Sequence, residues 1–139
     1  DFKPISINYI SPIKIPSDTD IWYGNNWPSE LVKEIIIPNL NVDISLGIFK
    51  GIQIDTEIHD QGFGGTGQIN LRCFINGIAI KPLLWIDRED SPSGIYSILI
   101  EDSICKLSTN DKVQIWLCCP PWNGWSANMK MFKLTYKYE

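Results

Sequence analysis

The chain has one histidine, two methionines and no apolar run near the roughly 18 residues needed to cross a membrane. Each shortage removes a class of function. With His59 the only imidazole, Ser-His-Asp and Cys-His catalysis have a single residue around which to form, and no nucleophile-elbow glycine pattern surrounds any serine. Basic residues are also short: 12 Lys and Arg against 16 Asp and Glu give a net charge of -4 and a pI near 4.9. A phosphate backbone asks for the opposite balance, so nucleic acid is not an expected partner. The four cysteines, Cys73, Cys105, Cys118 and Cys119, lack both the C-x-x-C pairing of a zinc site and the spacing of a disulfide framework. They are expected as free thiols. Together with the lack of any Asn-x-Ser/Thr sequon, this favours an intracellular setting. Nothing at the first residues resembles a secretion signal, although a removed one would leave no trace.

What remains is an ordinary globular balance with a surplus of aromatics. Hydrophobic residues make up 44% and charged residues 20% of 139, enough for one domain over residues 1–139 with its own core. Six Trp, five Tyr and five Phe exceed what the strands need. Apolar residues alternate from Ile5 to Ile15, with Pro12 and Pro16 marking an edge strand. Leu31 to Ile37 reads as a strand whose three isoleucines suggest burial on more than one side. In Ile48 to Ile58, Ile48, Ile52, Ile54, Thr56 and Ile58 share one face, while Gln53, Asp55, Glu57 and His59 share a wet one. Ile69, Leu71, Cys73 and Ile75 then alternate with polar Asn70 and Arg72. Asn76-Gly77 is a hairpin signal returning as the strand Ile78 to Ile86. Further strands follow at Ile95 to Ile100 and Val113 to Cys119. The last places Lys130, Phe132, Leu134, Tyr136 and Tyr138 on one face. No helix is expected. About eight short strands with turns between them predict an all-β fold, an antiparallel β-sandwich of jelly-roll type.

Antiparallel succession sorts the connections between the two ends of such a sandwich. The odd-numbered ones are rich: Ile21 to Pro28, with Trp22, Tyr23, Asn25, Asn26 and Trp27; Asp60 to Gly67, with Asp60, Gln61, Phe63 and four glycines; Asp87 to Gly94, with Asp87 and Arg88; and Pro120 to Trp125, with Trp122, Asn123 and Trp125. The even-numbered ones, Asn39 to Gly47, Asn76-Gly77 and Glu101 to Asp111, contain no tryptophan. Four tryptophans therefore gather at one rim. A rigid scaffold that presents loops at one end commonly binds there. Trp rings suit the apolar face of a sugar, and Asn, Gln, Asp and Arg suit its hydroxyls. These thirteen residues are the candidate ligand site. The tryptophans serve either as a platform or as a plug for the end of the core. Asp60, at the start of a glycine run, suits a turn-organising role, leaving Gln61 and Phe63 nearer a ligand.

The stretch Asp60-Gln61-Gly62-Phe63-Gly64-Gly65, with Trp122-Asn123-Gly124-Trp125 and the closing strand, resembles jelly-roll modules of the galactose-binding-domain type. The resemblance implies a carbohydrate or another polar ligand held by loops at one rim, sometimes with a structural calcium. Four unpaired cysteines depart from a secreted lectin. Asp87, Glu89 and Asp90 carry the oxygens calcium takes, but Arg88 among them favours a solvated turn, so no cofactor is expected and calcium stays the alternative. Asp60 with Asp87, Glu89 or Asp90 has the make-up of a glycosidase pair. Sandwiches of this size more often bind sugar than cleave it. The expected function is non-catalytic, lectin-like binding of a carbohydrate or glycoprotein. The alternative is a protein-interaction or assembly module that binds another chain through the same rim or its edge strands, and the oligomeric state is left open.

Overall fold

The computed structural model describes residues 2–11, 27–40, 44–61, 69–80, 84–86 and 94–139. Among the described residues nine strands form two antiparallel sheets: β1 (Ile5–Asn8), β2 (Ser29–Ile36), β3 (Phe49–His59), β4 (Ile69–Ile75), β5 (Ile78–Ala79), β6 (Leu84–Ile86), β7 (Gly94–Glu101), β8 (Lys112–Cys118) and β9 (Ser126–Tyr138). One sheet has the order β1-β9-β3-β7; the other runs β2-β8-β4, with β5 and β6 both on the free side of β4. Counting β5 and β6 as two halves of one strand gives eight positions in jelly-roll order, the architecture expected from the alternation. The halves correspond to the strand expected over Ile78 to Ile86. Their register against β4 steps between Phe74↔Ala79 and Leu71↔Leu84, and Pro82, which has no N–H for a ladder, falls between them in sequence.

The core lies between the sheets and takes one face of each strand. Ile52, Ile54, Thr56 and Ile58 of β3 are fully buried, as are Val113, Leu117 and Cys119, which extend the inward face of β8. Thr56 satisfies its hydroxyl by donating to the Met131 carbonyl at 2.7 Å. Register steps shift the alternation where the sequence pattern shows no break, one of them at the start of β3 between Phe49 and Gly51. In β9 the register steps from Glu57↔Met131 to Ile58↔Met129, so Lys130 is the extra residue. Ala127 and Met129 point inward before it and Phe132 after it, while Lys130 is exposed rather than on the inner face as the simple pattern predicts. In β2 the step falls between Leu31 and Lys33. Of the three isoleucines there, Ile37 is fully buried, Ile35 half-buried and Ile36 exposed, which corrects the expectation of burial on both sides.

Other expectations are corrected too. The first strand stops at Asn8: its Oδ1 accepts the Ile10 N–H at 3.0 Å and its carbonyl the Ser11 N–H at 3.0 Å, so the chain turns there, while Ile13 and Ile15 of the expected strand lie outside the described residues. Ile48 lies before β3 and is exposed. The connection after β7 contains a four-residue helix, α1 (Asp102–Cys105), and Ile44–Leu46 forms a 3-10 turn. Asn70 and Arg72, the polar residues that alternate with the apolar face of β4, are fully buried as well. They share the outer side of their sheet with a second apolar cluster of Phe74, Ala79, Trp116 and Cys118, and the Arg72 guanidinium lies 5.7 Å from the Phe74 ring centroid. That outer face is covered, whereas the outer face of the other sheet, with Gln53, Asp55, Glu57 and His59, is half-exposed.

Candidate functional site

The registers fix which connections share an end. Asn8 pairs with Ser126, Ser29 with Cys118, His59 with Asn128, Ile58 with Gly94, and Ile69 with Ile86. Connections 9–28, 60–68, 87–93 and 119–125 therefore all leave the sheets at one rim, as counting strands predicts. Among the described residues three of these connections touch. The Cys119 N–H donates to the Pro28 carbonyl at 2.9 Å, the Tyr9 N–H to the Trp125 carbonyl at 3.3 Å, and the Ser126 N–H to Gln61 Oε1 at 3.3 Å.

Three tryptophans pack in series on this frame. The Trp27 and Trp122 rings lie 5.9 Å apart at 59°, and Trp122 and Trp125 lie 5.5 Å apart at 73°. Their depths differ. Trp27 is 7% exposed, held beside Ser29, whose hydroxyl donates to the Trp27 carbonyl at 2.8 Å. Trp125 is half-buried against the core, and Trp122 is 44% exposed. Trp122 stands on a tight turn: Gly124 takes φ 88°, which a type II turn needs at its third residue, and the Trp125 N–H closes the turn onto the Trp122 carbonyl at 3.1 Å. Asn123, at the turn's tip, is exposed. The two rings thus differ in exposure, Trp27 being buried and Trp122 open to solvent on part of its surface.

Asp60 is buried at the end of β3. Gln61, expected to meet the ligand, commits its side-chain oxygen to the start of β9 and so fastens the rim. Trp22, Tyr23, Asn25, Asn26, Phe63, Asp87 and Arg88 lie outside the described residues. Sequence reasoning missed Tyr9, which it placed in a strand; the Asn8 turn sets it on the rim, 37% exposed, with its backbone tied to Trp125. The spacing of Asn8 and Ser11, which exchange side-chain and backbone hydrogen bonds, is the signal that could have found it.

The titratable groups are arranged apart. His59 projects from the outer face of its sheet and pairs with Glu57 at 2.7 Å, whereas Cys118 sits on the outer side of the other sheet and Cys119 in the core between them. Burial pushes the Cys118 thiol up to about 12 despite the opposing effects of Ser29 and Arg72, and burial likewise pushes Cys119 up to about 12. Both are held as neutral thiols, poor nucleophiles at neutral pH. Among the described residues no three His, Cys, Asp or Glu side chains converge to hold a cation, and the acidic turn with Asp87, Glu89 and Asp90 lies outside them. No described helix is long and apolar enough to cross a membrane.

No family model and no curated protein matches the chain. Among solved structures it is similar to a carbohydrate-binding module, CBM36, described in complex with calcium and xylotriose. That likeness covers 96% of this chain and 99% of that one, at 14% identity and a TM-score of 0.40.

Proposed function

We propose that the protein is a non-catalytic carbohydrate-binding module whose ligand sits at the tryptophan rim. The observation that carries this reading is Trp122: a large aromatic ring in contact with Trp27 and Trp125, left 44% exposed at the end where the long connections leave, with the exposed amide residue Asn123 next in sequence. Bracing holds the ring in place before a guest arrives, so little side-chain entropy is lost on binding. The apolar face of a pyranose covers the exposed ring, and the sugar hydroxyls find partners in Asn123 and in the polar residues of the neighbouring connections, Asn25, Asn26, Asp87 and Arg88. Trp22, Tyr23 and Phe63 supply further apolar contact, Trp27 supports from below, and Asp60 and Gln61 shape the loop rather than touch the guest. The separation of His59 from both rim thiols supports binding without turnover.

The angles between the rings narrow the ligand. Planes tilted by 59° and 73° cannot form one flat surface, so a crystalline polysaccharide face, which needs coplanar rings, is disfavoured. A single sugar ring of a soluble chain or glycan fits. A glycan array followed by calorimetric titration of the best binder tests the proposal. Binding that falls at least tenfold in Trp122→Ala is expected, and an array without a ligand, or affinity untouched by that substitution, would refute it.

A further inference from the structure

Among the described residues four edges bound the two sheets: β1 and β7 in one, β2 and the β5-β6 pair in the other. Three carry a device that discourages an added strand. β1 is four residues long and preceded by Pro4. β2 is bulged beyond Leu31 and bears Glu30, Lys33 and Glu34. The β5-β6 edge is split, with Pro82 between its halves in sequence. β7 has none of these. Gly94–Glu101 runs eight residues in unbroken register with β3, without proline or lysine and without any charge before Glu101. Ile95 is 75% and Leu99 44% exposed on its outer face, and among the described residues no strand pairs with its free side.

We infer that β7 is a homodimerisation edge, to which a second copy of this chain adds its own β7 antiparallel. The strand's own pattern selects that occupant. A two-fold axis through Ser97 sets Ile95 opposite Leu99 of the second copy on the outer face and Tyr96 opposite Ile98 on the inner face, with the two small Ser97 side chains meeting at the axis, so apolar meets apolar on either side of it. Moving the register by two residues would set Ile95 against Glu101 instead. A two-fold axis also brings like against like, and a chain of net charge -4 would ordinarily place repulsion there. The lack of any charge from Gly94 to Ile100 removes it, whereas a foreign strand would have to match the same apolar spacing without symmetry's help. The product is a continuous eight-stranded sheet with the two Trp122 rims at opposite ends, both open, so dimerisation and sugar binding are separable.

Sedimentation equilibrium over about 1 to 300 µM, the range in which a modest interface shows itself, is the test. The parent is expected to approach twice 15.9 kDa as concentration rises. Ser97→Lys sets two ammonium groups across the axis while pairing with Asp55 within its own sheet, and should remain monomeric with an unaltered melting curve. If that variant misfolds, Ser97→Cys decides: directly opposed residues in an antiparallel pair lie within disulfide reach, so mild oxidation should link it as a dimer, and Ser103→Cys on α1 should not link. A parent that stays monomeric throughout, a dimer that survives Ser97→Lys, or cross-linking no faster at 97 than at 103 would overturn the inference.

Discussion

At the end of the sandwich away from Trp122, backbone rules do most of the work. Asn76 and Gly77 take φ 53° and 82°, the two positive values of a type I′ hairpin. The Asn76 side chain donates to Asp111 Oδ1 and accepts the Lys112 N–H, both at 2.9 Å, while Asp111 Oδ2 accepts the Ser108 N–H at 2.8 Å. Gly51, at φ 147°, lets β3 approach β7 so closely that a Cβ there would sit 2.1 Å from the Ile100 carbonyl oxygen. At the Trp122 end the connections are longer, and among the described residues rings on rings provide much of the order. The contrast separates residues that maintain strand pairing from Trp122, which is 44% exposed and is the residue proposed to meet a ligand.

The largest effects should come from the two residues that have no freedom at either end. Trp27→Ala empties the plug and should cost about 3 to 5 kcal/mol, the usual range for a buried Trp. Gly51→Ala forces apart a strand pair and should cost about 3 kcal/mol or more; urea denaturation of each variant measures both. Asn76→Ala removes two hydrogen bonds and strains a positive φ, for about 1 to 2 kcal/mol and a melting temperature lower by several degrees, with the rim untouched. Trp122→Ala should cost only about 1 kcal/mol in folding because its ring is partly exposed, yet lose the ligand. A Trp122 variant as damaged as the Trp27 one would erase the distinction between plug and platform.

The smallest expected effect is on thiol labelling. Burial pushes Cys73, like Cys118 and Cys119, up to about 12, while half-buried Cys105 is raised less, by burial and by Asp102 and Glu101. An aromatic disulfide reagent at pH 8 should modify one thiol of the folded protein slowly and the other three only in denaturant. Rapid labelling of more than one would mean that the rim end opens more than the packing of Trp27 and Cys119 implies.

Much of the fold was legible in the alternation of β3 and in Asn76-Gly77, because both depend on local backbone geometry. The gathering of odd connections at one rim followed from counting alone. Bulges at Val32 and Lys130 were not legible, since an inserted residue in a strand needs no particular side chain and inverts the alternation after it. Nor was the burial of Asn70 and Arg72. Alternation tells which residues share a face but not what lies over it. For the site, residue type indicated that Trp27 and Trp122 belong together, while their different depths, one buried and one 44% exposed, depend on the packing of the rim and cannot be read from residue type. Tyr9 was hidden because a turn made by Asn8 resembles a continuing strand when only apolar positions are counted.

The most direct test of the rim is a calorimetric titration of soluble oligosaccharides into the parent and into Trp122→Ala, with the melting temperature of both measured in the same buffer. Saturable binding to the parent, at least tenfold weaker binding to the variant, and melting temperatures within a few degrees of each other are expected. Equal affinity in the two proteins, or no binding by a folded parent to any oligosaccharide, would contradict this expectation.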